Sequence, residues 1–190
     1  MRAFLFVACA SFVGLTYATA SAQADNDVEG ALAAARISAT AGDVVAQFSL
    51  GALLYYGADD TPQAIDWFRK AADHGNSAGQ RAVGDFYRKG RSVAVDATEA
   101  ARWYRLGADR DDVRAQYELG QMYFTRTGVT RDYPSAYVWF SLAALQAPLA
   151  DNREGLLELR NIAAARMTPE DVAAAARLVA AWKPASTAAK

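Results

Sequence analysis

Apolar positions through the middle of this chain recur at helical spacing, and the recurrence itself repeats. Three segments carry a Gln, two variable residues and an aliphatic–Gly pair: Gln47 with Leu50 and Gly51, Gln80 with Val83 and Gly84, Gln116 with Leu119 and Gly120. A second apolar ladder follows each: Ala64-Ile65-Asp66-Trp67-Phe68, Ala100-Ala101-Arg102-Trp103-Tyr104 and Ala136-Tyr137-Val138-Trp139-Phe140. Both Trp-to-Trp intervals are 36 residues, and Asp60, Asp96 and Asp132 keep the same step, seven residues before each Trp. The glycines step by 33 and then 36, because Gly57 to Asp60 is three residues shorter than Gly90 to Asp96. A period in this range belongs to stacked helix pairs, none of which buries its apolar face alone. The predicted fold is therefore all-α, an α/α solenoid.

Each ladder has a local cause. An Asp before a helix accepts hydrogen bonds from otherwise unpaired N–H groups and suits the positive end of the dipole. Asp96 with Glu99 reads as a capping-box variant. Pro62 and Pro134 stand in first turns, where a missing N–H costs nothing. Trp67, Trp103 and Trp139 are expected to supply the large apolar contacts between repeats. Gly51, Gly84 and Gly120, with alanine pairs near 71 and 143, let helix axes approach at the close end of ~8–10 Å. The predicted organisation is a solenoid over 27–146 (half-repeat 27–41, repeats 42–74, 75–110 and 111–146) and carboxy-terminal capping helices over 147–183. Pro148 breaks the chain after the third repeat, and Asp151 with Glu154 starts a helix to about Arg166. Thr168-Pro169-Glu170-Asp171 starts the last helix, which ends near Trp182. The tail 184–190 has nothing to pack against and is expected to be disordered.

The amino-terminal segment follows a different pattern. Arg2 precedes an apolar run, Ala3 to Gly14, broken only by Ser11, and then come Ala18, Ala20, Ser21, Ala22 and Ala24. This is the order of a secretory signal peptide, predicted over 1–22 with cleavage after Ala22 or Ala24 and a periplasmic or secreted product. The run is shorter than the about 20 residues a membrane helix needs, so no membrane span is expected after cleavage. Cys9 lies too early for a lipoprotein signal, and Phe6 stands where a lipobox takes Leu. Removing 1–22 takes one of 20 basic residues and none of 21 acidic ones, leaving 19 against 21 and a net charge of −2. No basic excess points to nucleic acid or anionic lipid. The single cysteine leaves with the leader, so the mature chain has no thiolate site or internal disulfide.

Catalytic chemistry needs a base beside a nucleophile, paired carboxylates or a metal site. The one histidine, His74, stands at a helix end beside Gly75, where it complements the dipole. Gly57 and Gly90 are inter-helix turn residues and form no phosphate loop. The acids Asp109, Asp111 and Asp112 read as a solvated turn in which Asp112 caps the next helix. No catalytic residue, metal site or cofactor is expected.

The sequence resembles the Sel-1-like repeat, a relative of the tetratricopeptide repeat. The pattern is Ala-Gln-x-x-Leu-Gly-x-x-Tyr-x-x-Gly, a loop, then Asp-x-x-x-Ala-x-x-Trp-Tyr/Phe-x-x-Ala-Ala, and it covers 42–146. Ala31 to Gly42 matches the second helix of a preceding half-repeat, with Gly42 and Gln47 aligned to Gly75 and Gln80. Residues 136–184 resemble the closing region of exported bacterial members, through Trp139-Phe140, Arg153, Met167-Thr168-Pro169, Trp182 and Pro184. Gly79 replaces the usual Ala, and Arg126 and Ser92 stand where loop glycines are expected, which leaves loop geometry open. The resemblance implies a right-handed superhelix of helix-turn-helix units whose first helices line the concave face. On those helices one stripe at i, i+4 and i+7 is not fixed by the repeat. It reads Phe48, Ala52, Tyr55 in the first repeat, Arg81, Asp85, Arg88 in the second, and Tyr117, Gln121, Phe124 in the third. Side by side these stripes would form a groove with aromatic walls and an arginine-containing centre, residue types enriched at binding hot spots. Arg81 and Arg88 suit a carboxylate or the carbonyls of a peptide.

The resemblance thus implies a non-catalytic interaction scaffold or adaptor in the bacterial envelope whose partner is another protein or peptide. The alternative is an envelope small-ligand binder or enzyme directed at β-lactams or peptidoglycan; the β-lactam-linked members are cysteine-rich, and the mature chain here has no cysteine. Export makes one checkable prediction: amino-terminal sequencing of the processed protein begins at Gln23 or Asp25. A chain retaining Met1 in the envelope fraction would rule out the cleaved leader.

Overall fold

The computed structural model describes residues 30–57, 61–147 and 150–185. The leader expected over 1–22, the cap expected at Asp60, the break expected at Pro148 and most of the tail lie outside the described residues. Among the described residues there are nine helices and no strand. They are α1 (30–40), α2 (Val44–Tyr56), α3 (Thr61–Asp73), α4 (Ser77–Lys89), α5 (Ala97–Ala108), α6 (Val113–Thr125), α7 (Tyr133–Gln146), α8 (Ala150–Ala164) and α9 (Pro169–Ala180). Neighbours in sequence pack side by side: α2 on α3, α4 on α5 and α6 on α7 within repeats, α3 on α4 and α5 on α6 between them. α8 and α9 both pack on α7. The result is an α solenoid. No helix among the described residues is long and apolar enough to cross a membrane.

Short polar side chains start the helices. Asp43 accepts from the N–H groups of Val45 and Ala46, Asn76 from Gly79, and Asp112 from Ala115. Asp96 accepts from Thr98 and Glu99, Asp132 from Ser135, and Thr168 from Asp171. The capping box expected at Asp96 is not closed. Its N–H already donates to the Tyr87 carbonyl, and Glu99 instead holds Arg102 at 3.0 Å. At the other end, Gly90 closes α4 at φ 67° and Arg126 closes α6 at φ 66°. The arginine in place of the expected glycine therefore leaves the left-handed cap intact, at the strain a Cβ brings to that region.

Inside each repeat one contact sets the helix separation. A Cβ built on Gly51, Gly84 or Gly120 would lie 2.8 Å from the ring of Phe68, Tyr104 or Phe140 respectively. The aromatic after each Trp is thus the residue seated on the glycine of the first helix. The tryptophans work between repeats, unequally. Trp103 belongs to the cluster of Ile65 and Phe68 in the preceding repeat, together with Val83 of its own, and Trp139 to that of Ala101, Tyr104 and Ala108. Trp67 is only partly buried, with the Lys70 ammonium 3.7 Å from its ring centroid.

The turns between repeats share one geometry. Gly42 and Gly75 have φ of 95° and 83°, and Asp111 takes the same place at φ 61°. Past each turn a buried glutamine reaches back: the side-chain N–H groups of Gln47, Gln80 and Gln116 donate to the carbonyls of Ala39, Ala72 and Ala108 at 3.3, 3.1 and 3.2 Å.

Two glycine substitutions should act in opposite directions. Gly84→Ala pushes a methyl into the fully buried Tyr104 ring and should cost about 1–3 kcal/mol, lowering the melting temperature. Gly155→Ala, exposed in α8 with nothing within 4 Å of the new carbon, should gain roughly 0.5–1 kcal/mol. Thermal melts by circular dichroism read both; equal effects would contradict the packing described.

Candidate partner-binding surface

The stripes of the first two repeats come together. Phe48, Ala52 and Tyr55 on α2 face Arg81, Asp85 and Phe86 on α4 across a cleft of about 80 Å³ that the buried Phe68 also lines. Rings hold the walls: Phe48 lies 5.5 Å from Phe68, and Tyr55 lies 5.5 Å from Phe86. Tyr56, Lys89 and Arg91, not among those picked out from the sequence, also line the cleft. Tyr56 is 83 % exposed, with its ring edge-on to Tyr55 at 4.6 Å. Arg91 sits over the Tyr55 ring at 5.6 Å. Tyr56 and Arg91 fall outside the i, i+4, i+7 stripe, one at the end of its helix and one in the loop beyond Gly90, so helical periodicity alone does not reach them.

The charged centre is built into the repeat contacts. Arg81 donates through Nε to Asp112 of α6's cap at 3.3 Å and stands 3.9 Å from Asp85. Arg88 donates to the Tyr104 hydroxyl at 3.0 Å and lies 3.6 Å from Asp85 and 3.8 Å from Glu118 on α6. Tyr104 in turn donates to Asp85 at 2.6 Å. The two arginines are therefore committed to bridging α4, α5 and α6, and only Arg81 and Asp85 of this stripe line the cleft. One sequence signal for the network existed: Tyr104 occupies the place that Phe68 and Phe140 hold, so a hydroxyl replaces hydrogen at a buried position.

The third stripe does not join this cleft. Tyr117 packs 6.3 Å from Phe140 and accepts from the Gln121 amide at 3.0 Å. Phe124 sits edge-on to Tyr133 at 5.5 Å, and Arg166, just past α8, lies over it at 5.2 Å. These side chains are turned onto α7 and α8, because α8 packs where a following repeat would begin. A single groove over three repeats is thus replaced by a two-repeat cleft.

Among the described residues no group of three or more His, Cys, Asp or Glu could hold a metal ion. The turn acids are engaged otherwise: Asp109 pairs with Arg105 at 3.1 Å, and Asp111 accepts from Gln116, Gln146 and Trp182. The His74 ring contacts the Lys70 carbonyl at the end of α3.

Burial of the Tyr104 ring, and then its hydrogen bond to the Asp85 carboxylate, push the phenol above its ordinary 10.0. Above pH 10.0 the unfolded chain loses this proton while the folded chain keeps it, so stability is full below that pH and falls as pH rises beyond it. Tyr104→Phe should flatten this alkaline loss, and at neutral pH should cost about 1–2 kcal/mol by stranding Asp85 and Arg88. Urea unfolding across the alkaline range checks both; an unchanged alkaline limb would contradict the assignment.

No curated protein matches the chain. Solved structures do. A protective antigen present in uropathogenic Escherichia coli strains, displaying an SLR fold, is 34 % identical with a TM-score of 0.70, over 80 % of this chain and 32 % of that one. The chain thus spans about a third of that antigen's length. A Sel1 repeat protein from Oxalobacter formigenes is 34 % identical with a TM-score of 0.60, over 67 % of this chain and 97 % of that one. The Sel1 repeat itself matches three times, at 44–76, 77–112 and 113–148, one helix pair each and together more than half of the 190 residues. The chain belongs to the Sel1 repeat family.

Proposed function

We propose that this protein is an exported, non-catalytic scaffold that holds a partner protein in the cleft between α2 and α4. Sel1 repeat proteins generally mediate protein–protein interaction. The observation that carries the site is the cleft's composition: aromatic walls, an Arg–Asp centre fixed by neighbouring helices, and Tyr56, Lys89 and Arg91 exposed around it. Tyr and Arg are the residues on which interface energy concentrates. Because Asp85, Asp112 and Phe86 already hold the walls, little side-chain freedom is lost on binding. The volume, about 80 Å³, is well under the ~300–1,000 Å³ of small-molecule clefts and suits a single inserted side chain. The leader-like order of residues 1–24 supports export to the envelope or beyond.

The variant that tests the cleft follows from the network. Reversing Arg81 and Arg88 would set new carboxylates against Asp85, Asp112 and Glu118 and unsettle the fold. Tyr56→Ser with Arg91→Glu alters only exposed groups, neither within ion-pair distance of an acid among the described residues. We expect an unchanged melting temperature and roughly tenfold or greater loss of the partner that wild type recovers from envelope extracts. A partner recovered equally by both proteins would move the binding face elsewhere.

A further inference from the structure

At the carboxy-terminal end of the solenoid, α7, α8 and α9 enclose a second cavity of about 280 Å³. Its apolar lining comes from Ala144 and Leu145 on α7, Leu157 on α8, and Ala176 and Val179 on α9. Leu145 is 67 % exposed, and Leu178 beside Val179 is 63 % exposed, so apolar surface continues outward. The polar lining is Tyr137, Ser141, Arg153 and Arg160, with no carboxylate.

The two arginines at this cavity differ from the paired arginines of the α4–α6 network. Arg69, Arg81, Arg88, Arg102 and Arg105 each pair with an acid. Arg153 and Arg160 have no carboxylate within ion-pair distance among the described residues. Arg153 donates to the Ala147 carbonyl at 3.3 Å, and Arg160 donates to the Asn161 side chain at 2.8 Å and lies 5.9 Å from the Tyr137 ring centroid. A guanidinium has five N–H donors, so each keeps several to offer. Seven residues apart, they share one face of α8, about 10 Å from each other along its axis.

We propose that this cavity docks an extended acidic segment of a partner protein, with one aliphatic side chain in the cavity and a carboxylate on each side of it. In an extended chain, residues i and i+4 lie on the same side roughly 13 Å apart, with i+2 pointing the same way between them. The fitting pattern is acid-x-aliphatic-x-acid, with the acids on Arg153 and Arg160 in charge-assisted hydrogen bonds. A volume at the lower limit of ligand clefts holds a side chain and leaves little room for a long acyl chain. This surface is separate from the cleft between α2 and α4 and stands without it.

The test is a titration of the full chain, labelled with nitrogen-15, with the acetylated and amidated peptide Glu-Ala-Leu-Ala-Glu, following amide resonances of α7 to α9. Saturable shifts at Tyr137, Ser141 and Ala176 are expected. Changing both peptide acids to Gln, or Leu to Ala, should weaken binding about tenfold or more, and so should Arg153→Gln with Arg160→Gln. Tyr56→Ser with Arg91→Glu should leave it unchanged. The proposal is overturned by absent shifts at millimolar peptide, by equal binding of the Gln peptide, or by shifts confined to α2 and α4. It is equally overturned if decanoate binds there and the peptide does not, or if the two arginines prove to join copies of this chain, read as a mass that falls in the double variant.

Discussion

Each second helix that a further repeat follows ends on a carbonyl that its own helix leaves unpaired, and a glutamine from that repeat supplies the donor. The carbonyls of Ala39, Ala72 and Ala108 each accept the backbone N–H of the turn and the amide of Gln47, Gln80 or Gln116. The glutamines are at most 4 % exposed, and their Oε1 atoms have no donor among the described residues. Leaving such an acceptor dry costs about 1–3 kcal/mol, yet the arrangement occurs three times. A buried amide tolerates little displacement, so this contact fixes where each first helix starts relative to the helix before it. The glycine opposite Phe68, Tyr104 or Phe140 then fixes how closely the second helix approaches. Register between repeats and separation within them are thus set by a glutamine and a glycine four residues apart.

On that frame the middle repeat carries the unusual chemistry. Its stripe is charged where those on either side are mostly aromatic, and the charges are matched across three helices through Asp85, Arg88, Tyr104 and Glu118. The network makes α4 a fixed wall against which the aromatics of α2 lie. The cleft is a by-product of two adjacent repeats presenting different side chains at equivalent positions.

The last turn shows how the solenoid is closed. Asp111 stands where Gly42 and Gly75 stand, in a left-handed conformation that a Cβ disfavours. Its carboxylate accepts from Gln116, Gln146 and Trp182, and the Trp182 ring meets Trp139 edge-on at 5.2 Å. The segment after α9 is thereby tied to the turn between repeats two and three. α9 itself buries only Ala175, so it lies on α7 through small side chains, and the cavity beneath it stays open.

The ladders of Gln, Gly, Trp and Asp made the helix pairs legible in the sequence, because a repeat must place the same side chain at the same contact every time. Caps at Asp96, Asp112, Asp132 and Thr168 were legible for the same local reason: the hydrogen bond spans two or three residues. The stripe positions Phe48, Tyr55, Arg81 and Asp85 could be named, since helical periodicity puts them on one face. Periodicity does not say what stands opposite that face. Only the tertiary structure decided that Arg88 turns to Tyr104 and Glu118, that Tyr117 and Phe124 are turned onto α7 and α8, and that Tyr56 and Arg91 reach the cleft. Contacts within one helix turn are written in neighbouring letters. Contacts between helices depend on which segments the packing brings together, 8 to 71 residues apart in the bonds described here, and a pattern within one helix does not encode that choice.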